Sequence, residues 1–204
     1  VYPSHYDVGW HITATTGVFG AAAGAGRLLG LSEQQMVWAL GIAATQASGL
    51  REMFGSMVKP MHPGNAARNG LMAALLASKN FTSAEQGIEG RRGFANVLAT
   101  QRNFSEITEK LGETWEISLN TYKPYACGIV EHPIIDGCTQ LRNEHKLKSE
   151  DIESISLRVH PLVLELTGKK TPRTGLEGKF SVYHAAAVGV IYGTAGEAQY
   201  SDEV

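Results

Sequence analysis

The sequence predicts a mainly α-helical protein with a smaller α+β lobe beginning near residue 120. Three observations carry this. Apolar residues recur at three- and four-residue spacing through most of the first hundred positions. Helix-start residues precede several of those runs. Only one stretch, 154–160, alternates with period two, Ile155, Leu157 and Val159 against Ser156 and Arg158, as a half-buried strand does.

The elements follow in order. Residues 13–30 carry Val18, Phe19, Ala22, Leu28 and Leu29 among many Gly and Ala, and small side chains suit a helix buried among other helices. Gly20, Gly24 and Gly26 within it read as helix packing, because no Lys-Ser/Thr follows to complete a phosphate loop. Ser32 with Gln35 makes a capping box for a helix over 33–48, where Met36, Val37, Leu40 and Ala44 repeat. Pro63-Gly64 reads as the opening of a third helix whose apolar stripe is Ala67, Leu71, Ala74 and Leu75. Thr82-Ser83 followed by Glu85-Gln86 predicts another short helix.

The texture changes near residue 105. A short helix at 104–111 and the segment 115–122 lead into Lys123-Pro124-Tyr125, and a helix over 133–146 has Pro133 in its first turn. After the strand, 168–178 is a loop rich in Gly, Pro and cations, and 181–193 is helical again. A single strand cannot stand alone. With Val1 in place of an initiating Met, the chain is expected to be truncated at both ends. The domain expectation is 1–119 as the back part of a helical domain and 120–204 as the front part of an incomplete lid.

Composition excludes several classes. With 43% hydrophobic and 19% charged residues the chain is globular. A net charge of −2 gives no footprint for nucleic acid or an anionic membrane surface. No run approaches the roughly 20 apolar residues of a membrane span, and no signal peptide is visible. A cytoplasmic location is expected, with a mitochondrial one left open. The two cysteines, Cys127 and Cys138, cannot form a disulfide framework or a four-thiolate metal site, and fall short of an iron–sulfur ligand set. The charge is uneven: residues 51–104 hold seven Lys/Arg against three Glu, while 105–204 hold ten against fifteen acids. A basic island of this kind concentrates anionic ligands when it lines a cleft.

The candidate polar groups fall in four stretches: Gly9-Trp10-His11, Lys59-Pro60-Met61-His62-Pro63-Gly64, Lys123-Pro124-Tyr125 and Phe180-Ser181-Val182-Tyr183-His184. His11, Lys59 and His62 are placed just before helix starts, where unpaired N–H groups favour a carboxylate or phosphate. Several cations at such positions suit a small multi-carboxylate acid. Trp10 and Met61 read as core residues, and His5, His145 and His160 as surface or strand histidines. No metal is expected, because His11 and His62 lack a His-x-x-x-His partner and a carboxylate at ligand spacing. No Gly-x-Ser-x-Gly elbow occurs, and neither cysteine has an activating base nearby in sequence.

Gly-Trp-His-Ile-Thr-Ala-Thr-Thr-Gly-Val-Phe-Gly (9–20), Ala-Thr-Gln-Ala-Ser-Gly-Leu (44–50), Lys-Pro-Met-His-Pro-Gly-Asn-Ala-Ala-Arg-Asn-Gly (59–70), Glu-Gly-Arg-Arg-Gly-Phe (89–94) and Lys-Pro-Tyr-Ala-Cys-Gly (123–128) resemble, in collinear order, the MmgE/PrpD family. That family includes 2-methylcitrate dehydratase, cis-aconitate decarboxylase and iminodisuccinate epimerase. The resemblance implies an all-helical domain followed by an α+β lid. It places His11, Lys59 and Lys123 in the site with Tyr183 from the lid, and His62 as a weaker substrate-binding candidate. In the decarboxylase branch a histidine follows five residues after the lysine matching Lys123. Here that position is Gly128, which speaks against decarboxylation.

The resulting expectation is a cofactor-independent lyase or isomerase, of dehydratase or epimerase type, acting on a small di- or tricarboxylic acid by proton transfer next to a carboxylate. Lys59 and Lys123 would hold carboxylates, His11 would act as acid/base and Tyr183 would donate a hydrogen bond. A homodimer is expected, with no nucleic-acid or membrane partner. The alternative is a non-catalytic, carboxylate-binding or dimer-forming protein of the same fold.

Overall fold

The computed structural model describes residues 1–204, and the chain is mainly α-helical. The helices are α1 (Ser4–Asp7), α2 (Ile12–Leu28), α3 (Glu33–Ala44), α4 (Val58–Ser78), α5 (Phe94–Leu98), α6 (Ser105–Thr108), α7 (His132–His145), α8 (Pro161–Thr167), α9 (Gly175–Gly178) and α10 (Val182–Tyr192). Two compact units divide them. The first comprises Val1–Met53 and Val58–Trp115; the second comprises Phe54–Met57 and Glu116–Val204. No helix is long and apolar enough to cross a membrane.

The first unit is built on α2, α3 and α4. Its core is Val18 and Ala22 of α2, Ala39, Ile42 and Ala43 of α3, and Ala66, Ala73 and Ala77 of α4. A core so rich in alanine lets backbones approach closely. Gly70 marks the tightest crossing: a Cβ there would stand 2.6 Å from Val18 O and 2.7 Å from Ala22 N. The Ser32 capping box forms as expected, with Gln35 N–H donating to Ser32 Oγ at 3.2 Å and Ser32 N–H donating to Gln35 Oε1 at 3.0 Å. Both α2 and α3 stop earlier than their patterns suggest, at Leu28 and Ala44.

The third helix begins at Val58, and Pro63 lies inside it. Pro60 falls in the first turn, where its missing N–H has no ladder partner to lose, so only Pro63 forfeits a ladder bond. The buried face of α4 is His62, Ala66, Gly70, Ala73, Ala74 and Ala77. Ala67, Leu71 and Leu75 are exposed, because contact with α2 selects small side chains over large ones. Met61 is likewise exposed, not core. Residues 82–86 form loop and turn; the next helix is α5. Among Gly20, Gly24 and Gly26 of α2, only Gly26 sits in a crowded place, with Met36 Cε 2.8 Å from its would-be Cβ, while Gly20 and Gly24 face open space.

The second unit packs α10 against α7. Ile135, Ala185, Val188, Ala195, Cys127 and Tyr200 form one cluster, and Cys138, Ala186 and Val190 another. Ser181 caps α10 by accepting from His184 N–H at 3.2 Å, and Gly193 ends it in the left-handed region at φ 68°. Residues 154–160, expected as a strand, form none. Leu157 packs on the Cys138 cluster while Ile155 is exposed, so the alternation marks one half-buried side of an unladdered segment. The 168–178 loop contains the single turn α9, capped by Thr174.

Candidate functional site

The first unit brings three of the expected residues together. His11 is the N-cap residue of α2, with φ −85° and ψ 106°, but its ring caps no N–H of that helix. It turns to His62, and the two Nδ1 atoms lie 2.8 Å apart. Both rings are buried, at 7% and 5% exposure. Lys59 and His62 occupy positions i and i+3 in the first turns of α4, hence one face of that helix. They do not precede its start, as the sequence suggested.

Packing of α2 on α4 brings His11 to His62, and pairing with the 49–51 strip holds the His11 backbone. Trp10 and Leu50 form an antiparallel bridge, His11 N–H donates to Gly49 O at 3.0 Å, and Arg51 N–H donates to Gly9 O at 2.8 Å. Gly49 adopts φ 140°, and a Cβ there would come within 3.4 Å of the His62 ring. The clash is with α2, where the same Cβ would run into Ala14 Cβ, so the 49–51 strip lies this close to α2 only because residue 49 has no side chain.

Burial is the main force on the pair's protonation. It pushes His11 down to about 4, with the His62 and Lys59 charges adding to the effect. Burial also lowers His62, with Lys59 next. The rings are therefore neutral near pH 7, and a 2.8 Å contact requires one Nδ1–H donor and one bare Nδ1 acceptor. The donor ring then carries an unprotonated Nε2 and the acceptor ring an Nε2–H. One imidazole offers a base and its neighbour an acid.

Behind the pair stands His5, which the sequence placed at the surface and the structure buries completely. Its Nδ1 meets Leu98 O at 2.8 Å and its Nε2 meets Thr15 Oγ1 at 2.7 Å, while the Thr15 hydroxyl approaches His11 O at 3.3 Å. Trp10 stacks on His5 at 5.9 Å between centroids. Two cations of the basic island are committed elsewhere. Arg51 lies over the Tyr6 ring at 4.0 Å and Arg68 bonds Asn65 and Asn69. A cleft of about 670 Å³ lined by Thr45, Ser83, Gly87, Arg92 and Phe94 contains none of the expected site residues.

Lys123 and Tyr183 belong to the second unit. Lys123 is exposed and its Nζ donates to Cys127 O at 3.2 Å. Tyr183, in the first turn of α10, is 40% exposed. No hydrogen bond joins it to Lys123. Around Lys123 the structure gathers groups that sequence reasoning passed over: Cys127, Glu131, His132 and Tyr200, all buried. The available signal was Glu131 itself, an acid set between Ile129-Val130 and the helix-forming run that begins His132-Pro133-Ile134-Ile135. Beside it Tyr125 donates to Asp136 Oδ1 at 2.5 Å, a bond that lifts the phenol to about 12.

The profile of the MmgE/PrpD N-terminal domain matches residues 1–107, and that of the MmgE/PrpD C-terminal domain matches residues 125–204. A cis-aconitate decarboxylase of Aspergillus terreus is 40% identical over 138 residues, covering 62% of this chain and 28% of its own length. The cis-aconitate decarboxylase-like protein oryM of Aspergillus oryzae is 29% identical over 201 residues, covering 91% of this chain and 42% of its own. Human cis-aconitate decarboxylase is 28% identical over 159 residues, covering 74% and 32%. The chain thus spans well under half the length of these relatives. With both domain profiles matched in order across the two units, the chain belongs to the MmgE/PrpD family.

Proposed function

We propose that this chain serves a lyase acting on a small di- or tricarboxylic acid, by moving a proton at a carbon next to a carboxylate. The observation that carries the reading is the buried His11–His62 pair, one Nε2 bare and the other protonated, beside the Lys59 charge. The bare Nε2 takes a proton from carbon while the electron pair moves into the adjacent carboxylate. Lys59 stabilises the charge that develops there, an electrostatic contribution that is commonly the largest in such reactions. The neighbouring Nε2–H returns a proton to the substrate. An incoming carboxylate also offsets the Lys59 charge, raising both imidazoles toward the range where proton transfer is efficient. Lys123 is the carboxylate-holding cation of the second unit, and Tyr183 a hydrogen-bond donor on the same unit.

The relatives' names make cis-aconitate the first acid to test. The experiment incubates the full-length protein with a panel of di- and tricarboxylic acids in deuterated water and follows them by NMR. Release of carbon dioxide marks decarboxylation, a new alkene with loss of water marks dehydration, and deuterium at the α-carbon without net loss marks epimerisation. Turnover of one acid, abolished by His11→Asn, is the expected result. Saturable thermal stabilisation by the acids with no product would favour a carboxylate-binding protein and overturn the lyase reading.

A further inference from the structure

The second unit holds a buried carboxyl that the proposed chemistry does not use. Glu131 ends the short turn Ile129–Glu131 before α7 and is 0% exposed. Its backbone N–H donates to Gly128 O at 2.9 Å, which folds it back beside the Cys127–Gly128 peptide. A Cβ placed on Gly128 would lie 3.8 Å from the Glu131 carboxyl carbon and 3.0 Å from Thr167 Cγ2. Neither carboxyl oxygen meets a donor in hydrogen-bond geometry.

The neighbouring donors are committed elsewhere. Gly128 N–H donates to Lys179 O at 3.0 Å, the Thr167 hydroxyl to Val163 O at 2.7 Å, and the Cys127 thiol is directed at Gly128 O at 3.7 Å. The titratable and charged groups around Glu131 are Cys127 and Lys123 from the preceding loop, His132 next in the chain, Tyr200, and Lys179. The Lys179 ammonium is paired with Glu197 at 3.0 Å. Lys123 is the one cation acting on the Glu131 carboxyl, and it is anchored 3.2 Å from Cys127 O.

A buried carboxylate without donors is strongly disfavoured, and the neutral acid is not. Burial accordingly pushes Glu131 up to about 8, only partly offset by Cys127, Gly128 and Lys123. We propose that Glu131 is a positioning residue: held as a neutral carboxylic acid, it leaves the Lys123 ammonium charge available for a substrate carboxylate. When Glu131 releases its proton to solvent, the new carboxylate competes for Lys123 and weakens its hold on an anion. This rests on the reading of Lys123 as a carboxylate-holding cation.

The test uses citrate as probe, with calorimetric titrations of the full-length protein at pH 6.5 and pH 9. Wild type is expected to bind citrate about tenfold more weakly at pH 9, the scale of one added charge a few ångströms from the binding cation. Glu131→Gln should bind equally at both pH values, and Lys123→Ala weakly at both. Infrared spectra of wild type labelled with ¹³C-glutamate give a readout that needs no variant: a protonated glutamic acid band at pH 6.5 that disappears by pH 9. Absence of that band at pH 6.5, or alkaline weakening that persists in Glu131→Gln, overturns the proposal while leaving the lyase reading intact. Citrate binding indifferent to Lys123→Ala overturns the role given to Lys123, and the Glu131 proposal with it.

Discussion

His11 and His62 meet through their Nδ1 atoms at 2.8 Å although 51 residues separate them in the chain. Only one proton fits on that axis, so the two rings cannot be equivalent, and protonating both would place two positive charges in contact beside Lys59. The arrangement resists acid until the fold itself is threatened.

That resistance gives a pH prediction with a definite sign. His11 is depressed from 6.5 to about 4 in the folded chain. The unfolded chain therefore binds the proton first, and stability present above pH 6.5 is lost as pH falls toward 4. The shift is worth roughly 3 kcal/mol at most, at about 1.4 kcal/mol per pH unit. Thermal unfolding followed by circular dichroism from pH 7 to 4 should show a falling midpoint. In His11→Asn the dependence should be shallower by about one proton. An unchanged slope would mean that His11 titrates as a solvated imidazole.

Gly49 and Gly9 both have positive φ, 140° and 114°, but only Gly49 has neighbours in the way. Gly9→Ala should lower stability by roughly 1–2 kcal/mol, the backbone strain alone. Gly49→Ala adds a clash with Ala14 Cβ, and should lose roughly 2–4 kcal/mol in total. Urea unfolding gives both values. Equal losses at the two sites would show that the 49–51 strip does not press on Ala14 of α2.

What the sequence revealed and what it hid follow from the range of the interactions. The Ser32–Gln35 box and the Ser181 cap are contacts within three residues, and each was legible as a local pattern. The buried face of α4 was not, because its contacts with α2 reward small side chains. A rule that seeks large apolar residues points to Leu71 and Leu75, which are exposed. His11 and His62 were each visible as polar residues near helix starts, but their contact depends on the packing of α2 against α4. Glu131 went unnoticed because a lone acid usually reads as solvated, and its burial arises only when α7 and α8 pack against the 129–131 turn.

Lys59 has a prediction with two independent readouts. As a transition-state cation, its loss in Lys59→Ala should lower kcat/KM by roughly 10²–10³. Because its charge lowers both His11 and His62, the same substitution should raise the imidazole titrations seen in NMR. Lys79→Ala, in the exposed turn just after α4, should change neither. Histidine titrations that ignore Lys59→Ala would separate Lys59 from the pair, whatever happens to the rate.

Neither cysteine is placed to react, although Cys127 stands in the second unit's polar cluster. Cys127 and Cys138 are both buried, at 6% exposure each. Burial pushes the Cys127 thiol up to about 12, with the Glu131 charge adding to the effect and Tyr200 and Lys123 opposing it. Burial raises Cys138 as well. Thiolate is the nucleophilic form, so neither sulfur should be available near neutral pH. The folded protein should resist iodoacetamide at pH 7.5 at both positions, while the urea-unfolded chain should react at both, as mass spectrometry of tryptic peptides would show. Cys127→Ser should retain most activity if its thiol only packs, since Lys123 is anchored by the Cys127 backbone carbonyl and not by its sulfur. Rapid alkylation of native Cys127 with loss of turnover would instead make the thiol a participant, and the lysine–histidine account of the chemistry would have to be redrawn around it.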